Sequence, residues 1–192
     1  MTVIFSNMQD EDCRLLQTVW KDLDDVKVIE ITPSSVDWED KVNEAIAAEK
    51  YTILFAGHGT ADGLLFPDLY RGEYILHEGN VKLIQAKKVI CIWCHASAFC
   101  IKHRLNAFAT SMFLSNTFEA GEYGIAASQE EVAASNSRFY EEFNGFLKIP
   151  YVPLNKWIEY MSFHVDMNNR IDRFNYEGLF YQEQISGRDY IN

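Results

Sequence analysis

Long apolar runs are missing from this sequence. No stretch approaches the ~20 residues that a membrane-spanning helix needs, so no transmembrane helix is expected. Positive charge is scarce as well: 17 Lys and Arg stand against 28 Asp and Glu, a formal net charge of −11. Phosphate neutralisation needs a basic surface, which excludes a nucleic-acid or anionic-membrane partner from the expectation. Cysteine is sparse. Cys13, Cys91, Cys94 and Cys100 are too few and too clustered in 192 residues to form a disulfide scaffold, which points to a reducing, cytoplasmic setting. Met1 to Phe5 carries no basic n-region and no small-residue cleavage site, so no secretory leader is read there. Repeats, low-complexity tracts and linkers are lacking too, and a single domain over residues 1–192 is expected.

What is present is organised around two stretches. Tyr51-Thr52-Ile53-Leu54-Phe55-Ala56-Gly57-His58-Gly59 and Lys88-Val89-Ile90-Cys91-Ile92-Trp93-Cys94-His95-Ala96-Ser97 are apolar, β-rich runs. Each stops at a reactive side chain, His58 in the first and Cys94 in the second. Runs of this kind, bounded by turn residues, read as buried strands of a parallel sheet.

The rest of the chain supports that reading. Val3-Ile4-Phe5 is an expected strand, and residues 10–23 carry Leu15, Leu16, Val19, Trp20 and Leu23 at helical spacing. Residues 26–31 form a second expected strand and residues 36–49 a second helix, before the strand leading to His58. The order β-α-β-α-β predicts a parallel sheet covered by helices. Gly63 to Phe66 and Tyr74 to Leu76 are expected short strands, with a helical turn at 81–85. Residues 96–113 are expected as a helix packed under the sheet, and 122–127 as a further short strand. A helix over 130–147, ended by Pro150 and Pro153, a long helix over 154–174, and an edge strand at Leu179-Phe180-Tyr181 complete the expectation.

In open α/β sheets ligands bind beyond the carboxyl ends of the strands, so His58 and Cys94 are expected on one rim. A thiolate is a strong nucleophile, and a nearby imidazole takes its proton and returns it to a leaving amine. Gly59, without a Cβ, leaves the backbone open to close approach. Its N–H and that of Cys94 are candidate oxyanion donors. Taken singly, each of these residues would be a core thiol or a satisfied polar group; their pairing at two strand ends gives the expectation its content.

Phe55-Ala56-Gly57-His58-Gly59 and Val89 to Ser97 resemble the two signatures of the caspase–hemoglobinase (clan CD) superfamily of cysteine peptidases, closest in look to CHAT-type and related bacterial members. Gly63-Leu64-Leu65-Phe66 falls where those members carry a Gly-Leu-Leu segment. Residues 120–128 resemble the family's next strand, and Arg138-Phe139-Tyr140 the phenylalanine–tyrosine helix behind it. The resemblance implies a three-layer α-β-α sandwich with a mostly parallel central sheet of about six strands. It implies a cysteine endopeptidase with His58 as general acid/base, Cys94 as nucleophile, and the amides of Gly59 and Cys94 as oxyanion donors. His95 stands where many CHAT domains carry an acid.

Family members build the pocket before the scissile bond from the loop after the first strand and the strand after the nucleophile. Here those places hold Asn7, Asp10, Glu11 and Asp12, then Ser128, Gln129 and Glu130. Acids there would favour a basic residue in a peptide or protein substrate; the same acids would equally complement helix N-termini. Two other readings compete. One is a catalytically silent caspase-like module that uses the rim to bind a partner protein. The other is a zinc knuckle on Cys91, Cys94, Cys100 and His103, disfavoured because Ile92-Trp93 is a strand pair rather than a tight turn. No cofactor and no metal are expected.

Overall fold

A six-stranded sheet with the order β2-β1-β3-β7-β8-β9 runs through the computed structural model, which describes residues 1–149 and 152–183. Its strands are β1 (Thr2–Ser6), β2 (Lys27–Ile31), β3 (Thr52–Ala56), β7 (Lys88–Ile92), β8 (Asn106–Thr110) and β9 (Leu179–Gln182). The first five are parallel, and β9 closes the edge antiparallel to β8. A small antiparallel sheet of β4 (Gly59–Thr60), β5 (Gly63–Leu65) and β6 (Tyr74–His77) lies between β3 and β7 in the chain.

Strand alternation divides the core into two layers. Ile53, Phe55, Val89, Cys91 and Trp93 face one side, with α2 (Trp38–Ala48), α3 (Ala96–His103) and the small sheet. Leu54, Ala56, Ile90 and Ile92 face the other, with α1 (Glu11–Leu16), α5 (Gln129–Lys148), α6 (Leu154–Ser162) and Tyr176 of α7 (Arg170–Glu177). The expected three-layer α-β-α sandwich is therefore present. A satellite core of Leu114, Ala120, Val132 and Ile171 sits under α4 (Thr117–Glu122). Helix α5 opens with a capping box in which Ser128 and Glu131 satisfy each other's backbone N–H. Among the described residues, no helix is long and apolar enough to cross a membrane.

Four elements differ from the sequence expectation. The first helix stops at Leu16 and tightens to a 3-10 turn over Gln17–Trp20. The Asn144 amide there takes the carbonyls of Val19 and Lys21, at 3.1 and 2.9 Å. Residues 96–113 are not one helix: α3 ends at Arg104, left-handed at φ 54°, and β8 follows. Ala107 and Ala109 read as helix formers locally, but burial in the sheet overrides that preference. Residues 122–127 are not a strand; Glu122 is the last residue of α4, which is capped by Asn116, whose side chain accepts from Glu119 N–H at 2.9 Å. The long helix over 154–174 is split, because the Asn169 side chain captures the amides of Ile171 and Asp172 and starts a new helix. Pro150, expected to end α5, lies outside the described residues.

Candidate active site

The chain places β2 on one side of β1 and then crosses to lay β3 on the other, so β1 and β3 flank the point where the strand order reverses. That crevice is the usual ligand position in such sheets, and four strand exits converge on it. Residues after β1 (Asp12, Cys13), β3 (Gly57, His58), β7 (Trp93, Cys94) and β8 (Phe113, Ser115) line one cavity, with Glu119 and Tyr140 behind. The expected rim pairing of His58 with Cys94 is thus a shared cavity.

His58 is held by a residue from another element. Its Nε2 lies 2.8 Å from Asp10 Oδ2, while Asp10 Oδ1 accepts the Cys13 N–H at 2.8 Å as the N-cap of α1. One carboxylate therefore both starts the helix and orients the imidazole. Burial raises the Asp10 pKa, but the Cys13 amide and His58 outweigh it, and the carboxyl sits below its ordinary value. The close passage of the chain explains Gly57: at φ +144°, a Cβ there would stand 2.6 Å from the Ser6 carbonyl oxygen.

Cys94 sits in a tight strand-to-helix turn. Trp93 before it is fixed by reciprocal bonds with Thr110, N–H to Oγ1 at 3.1 Å and Oγ1 to the carbonyl at 2.8 Å. The Trp93 indole donates to Thr60 C=O at 3.0 Å. His95 after it adopts φ +67° and donates its N–H to Ser111 C=O, so this histidine serves the turn. The Cys94 sulfur contacts Phe113 C=O at 3.6 Å. Burial, with the carboxylates of Glu119 and Asp12 adding to it, pushes this thiol up to about 11. At neutral pH the Cys94 thiol is therefore protonated.

The two oxyanion candidates have suitable surroundings. Leu65 N–H donates to His58 C=O at 3.0 Å, which makes Gly59 and Leu64 a non-hydrogen-bonded antiparallel pair. The Gly59 N–H consequently points away from β5. Among the described residues the Cys94 N–H donates to no protein acceptor. A Cβ on Gly59 would collide with the Trp93 indole, so the glycine is also what lets β4 lie against the Cys94 turn.

The residues expected to contact substrate separate into two groups. Asp10 and Asp12 reach the site, the first on His58 and the second in the cavity wall. Asn7 is spent in its own turn, accepting from Gln9 N–H and donating to Glu30. Ser128, Gln129 and Glu130 start α5 and do not line the cavity. The strand after Cys94 is β8, so the wall that Ser128, Gln129 and Glu130 were expected to form is built by Phe113, Ser115 and Glu119. Ser115 Oγ lies 2.7 Å from Asp12 and 3.1 Å from Glu119. Glu119 also accepts the Ser115 N–H at 2.8 Å, so Ser115 holds both carboxylates in the cavity wall, the hydroxyl nearer Asp12 and the amide on Glu119.

Cys91 and Cys100 are buried in the opposite core layer from Cys94, and His103 packs on Phe99 at 4.5 Å. The knuckle spacing therefore does not converge. A different set does: Asp10, Cys13 and His58 bring a carboxylate oxygen, a sulfur and a ring nitrogen within 4.8 Å of one another. All four cysteines are free thiols. No protein-family model matches the chain, and neither does any curated protein.

Proposed function

We propose that the protein is a cysteine endopeptidase of the caspase–hemoglobinase type, acting in a reducing, cytoplasmic setting. The observation that carries this reading is the single cavity shared by Cys94 and His58, at the ends of the adjacent parallel strands β7 and β3. Asp10 stands as a third member that holds the imidazole.

In this reading His58 accepts the thiol proton as Cys94 Sγ attacks the scissile carbonyl. The high thiol pKa makes proton transfer part of the attack rather than a preformed ion pair. The tetrahedral oxyanion takes hydrogen bonds from the amides of Gly59 and Cys94. His58 then protonates the leaving amine, and water activated by the same imidazole hydrolyses the thioester. The enclosed space is only about 40 Å³, room for a few water molecules, so the peptide lies across the mouth. Asp12 and Glu119, two carboxylates in the cavity wall, favour a lysine or arginine beside the scissile bond.

A panel of fluorogenic peptides differing in that residue tests the proposal. Wild type should cleave the basic peptides, Cys94→Ala should be inactive, and His58→Ala should lose at least ~100-fold. Equal turnover by wild type and Cys94→Ala would overturn it. Cleavage that prefers acidic or neutral residues would overturn the basic preference.

A further inference from the structure

The mechanism above leaves Cys13 unused, although it borders the cavity and stands beside His58. We propose that Asp10, Cys13 and His58 form a binding site for a zinc ion, and that zinc there silences the peptidase. The second half rests on the peptidase reading; the first does not.

The three donors differ in kind and come from two elements. Asp10 and Cys13 are the N-cap and third residue of the α1 turn, tied together by the Cys13 N–H to Asp10 Oδ1 bond. His58 approaches from the exit of β3 and already touches the same carboxylate through Nε2. Zinc bonds of about 2.0–2.3 Å at tetrahedral angles set donors about 3.3–3.7 Å apart. Atoms now within 4.8 Å of one another therefore close on a metal with shifts of about 1 Å.

The donor chemistry selects the ion. A thiolate with an imidazole suits zinc or its spectroscopic substitute cobalt, whereas magnesium and calcium want all-oxygen shells. Binding releases the Cys13 thiol proton to solvent and replaces its 3.5 Å contact with Ser6 C=O by a metal bond. The thiolate and the Asp10 carboxylate then balance the two positive charges. Water from the cavity completes the fourth position, as in zinc sites with three protein ligands. With Nε2 on the metal and its bond to Asp10 given up, His58 cannot carry the proton of Cys94.

Titration of the 192-residue protein with Co²⁺ tests the site without reference to activity. Wild type should take up one equivalent and develop a thiolate-to-cobalt charge-transfer band in the near-ultraviolet. Cys94→Ala should keep the band. Cys13→Ser, checked for folding by circular dichroism, should lose it, and Asp10→Asn, which keeps the shape of the cap, should weaken uptake by more than about tenfold. No band in wild type, a band retained in Cys13→Ser, or a band lost in Cys94→Ala would each overturn the site. Zn²⁺ should suppress peptide turnover by wild type but not by Cys13→Ser; a zinc-loaded protein that still cleaves would overturn the inhibitory role. A protein that binds cobalt as described but cleaves no peptide would count against the peptidase and leave the metal site standing.

Discussion

Asp10 has two jobs on two oxygens, and two substitutions separate them. Oδ1 caps α1 through Cys13 N–H, and Oδ2 holds His58, each at 2.8 Å. Asp10→Ala removes both. Loss of a cap costs about 1 kcal/mol, which in a chain of this size lowers the melting temperature by about 2–4 °C. Asp10→Asn retains an oxygen for the cap and should melt close to wild type, but it removes the charge facing the imidazole. A hydrogen bond to a charged group contributes about 1.5–3 kcal/mol. The two side chains are 31% and 42% exposed, so screening favours the low end, equivalent to about tenfold in rate. Thermal melts and peptide kinetics on both variants check this. Both should lose about tenfold in kcat with little change in KM, and only Asp10→Ala should melt early. An Asp10→Asn protein with full kcat, or one as unstable as Asp10→Ala, would refute the division of labour.

Other groups give equally definite expectations. Alkylation of Cys94 by iodoacetamide should be slow at neutral pH and rise toward pH 11, where burial and the nearby carboxylates put the thiol. Glu119→Gln should speed it below that pH, and an unchanged profile would contradict the electrostatic part. Arg138 donates to Asp172 at 2.8 Å, and the Asp172 side chain is fully buried. Arg138→Ala should cost about 3 kcal/mol in urea denaturation, and adding Asp172→Asn should restore part of it; additive losses would argue against the pairing. The Glu49 carboxyl is burdened by burial but receives Tyr51 N–H and Thr2 Oγ1, both at 2.8 Å, and lies below its ordinary value of 4.5. Its stabilising effect is complete above pH 4.5 and is lost as pH falls below it. Wild type should therefore lose more stability than Glu49→Gln between pH 5 and the acid limit, as measured by melting across that range.

The legible parts of this molecule are those where burial writes directly into the sequence. The runs ending at His58 and Cys94 lie in strands covered on both faces, so every strand position after the first (Thr52 and Lys88) is apolar and buried, and the reactive residue marks the exit. The α5 helix is legible for the complementary reason, since Val132, Phe139 and Phe143 share one buried side; its Ser128–Glu131 capping box is a start signal in the sequence that the expectation of Ser128 in the pocket passed over. β8 was not, because Asn106-Ala107-Phe108-Ala109-Thr110 is short and small, with nothing local to distinguish it from a helix. Missing β8 displaced the expected pocket wall from Ser115 and Glu119 to Ser128, Gln129 and Glu130. The Asn116-x-x-Glu119 spacing did carry a helix-start signal that could have located α4. The Asp10 to His58 bond joins residues 48 positions apart; local pattern holds no trace of it, although the helix-capping role of Asp10 was readable.

Intact-mass and peptide-map analysis after treatment with a lysyl or arginyl acyloxymethyl ketone, a warhead that needs an activated thiol, bears most directly on the shared Cys94–His58 site. A single adduct on Cys94, absent from Cys13, Cys91 and Cys100 and strongly reduced in His58→Ala, is the predicted result. An unlabelled Cys94, or labelling that His58→Ala leaves unchanged, would contradict it.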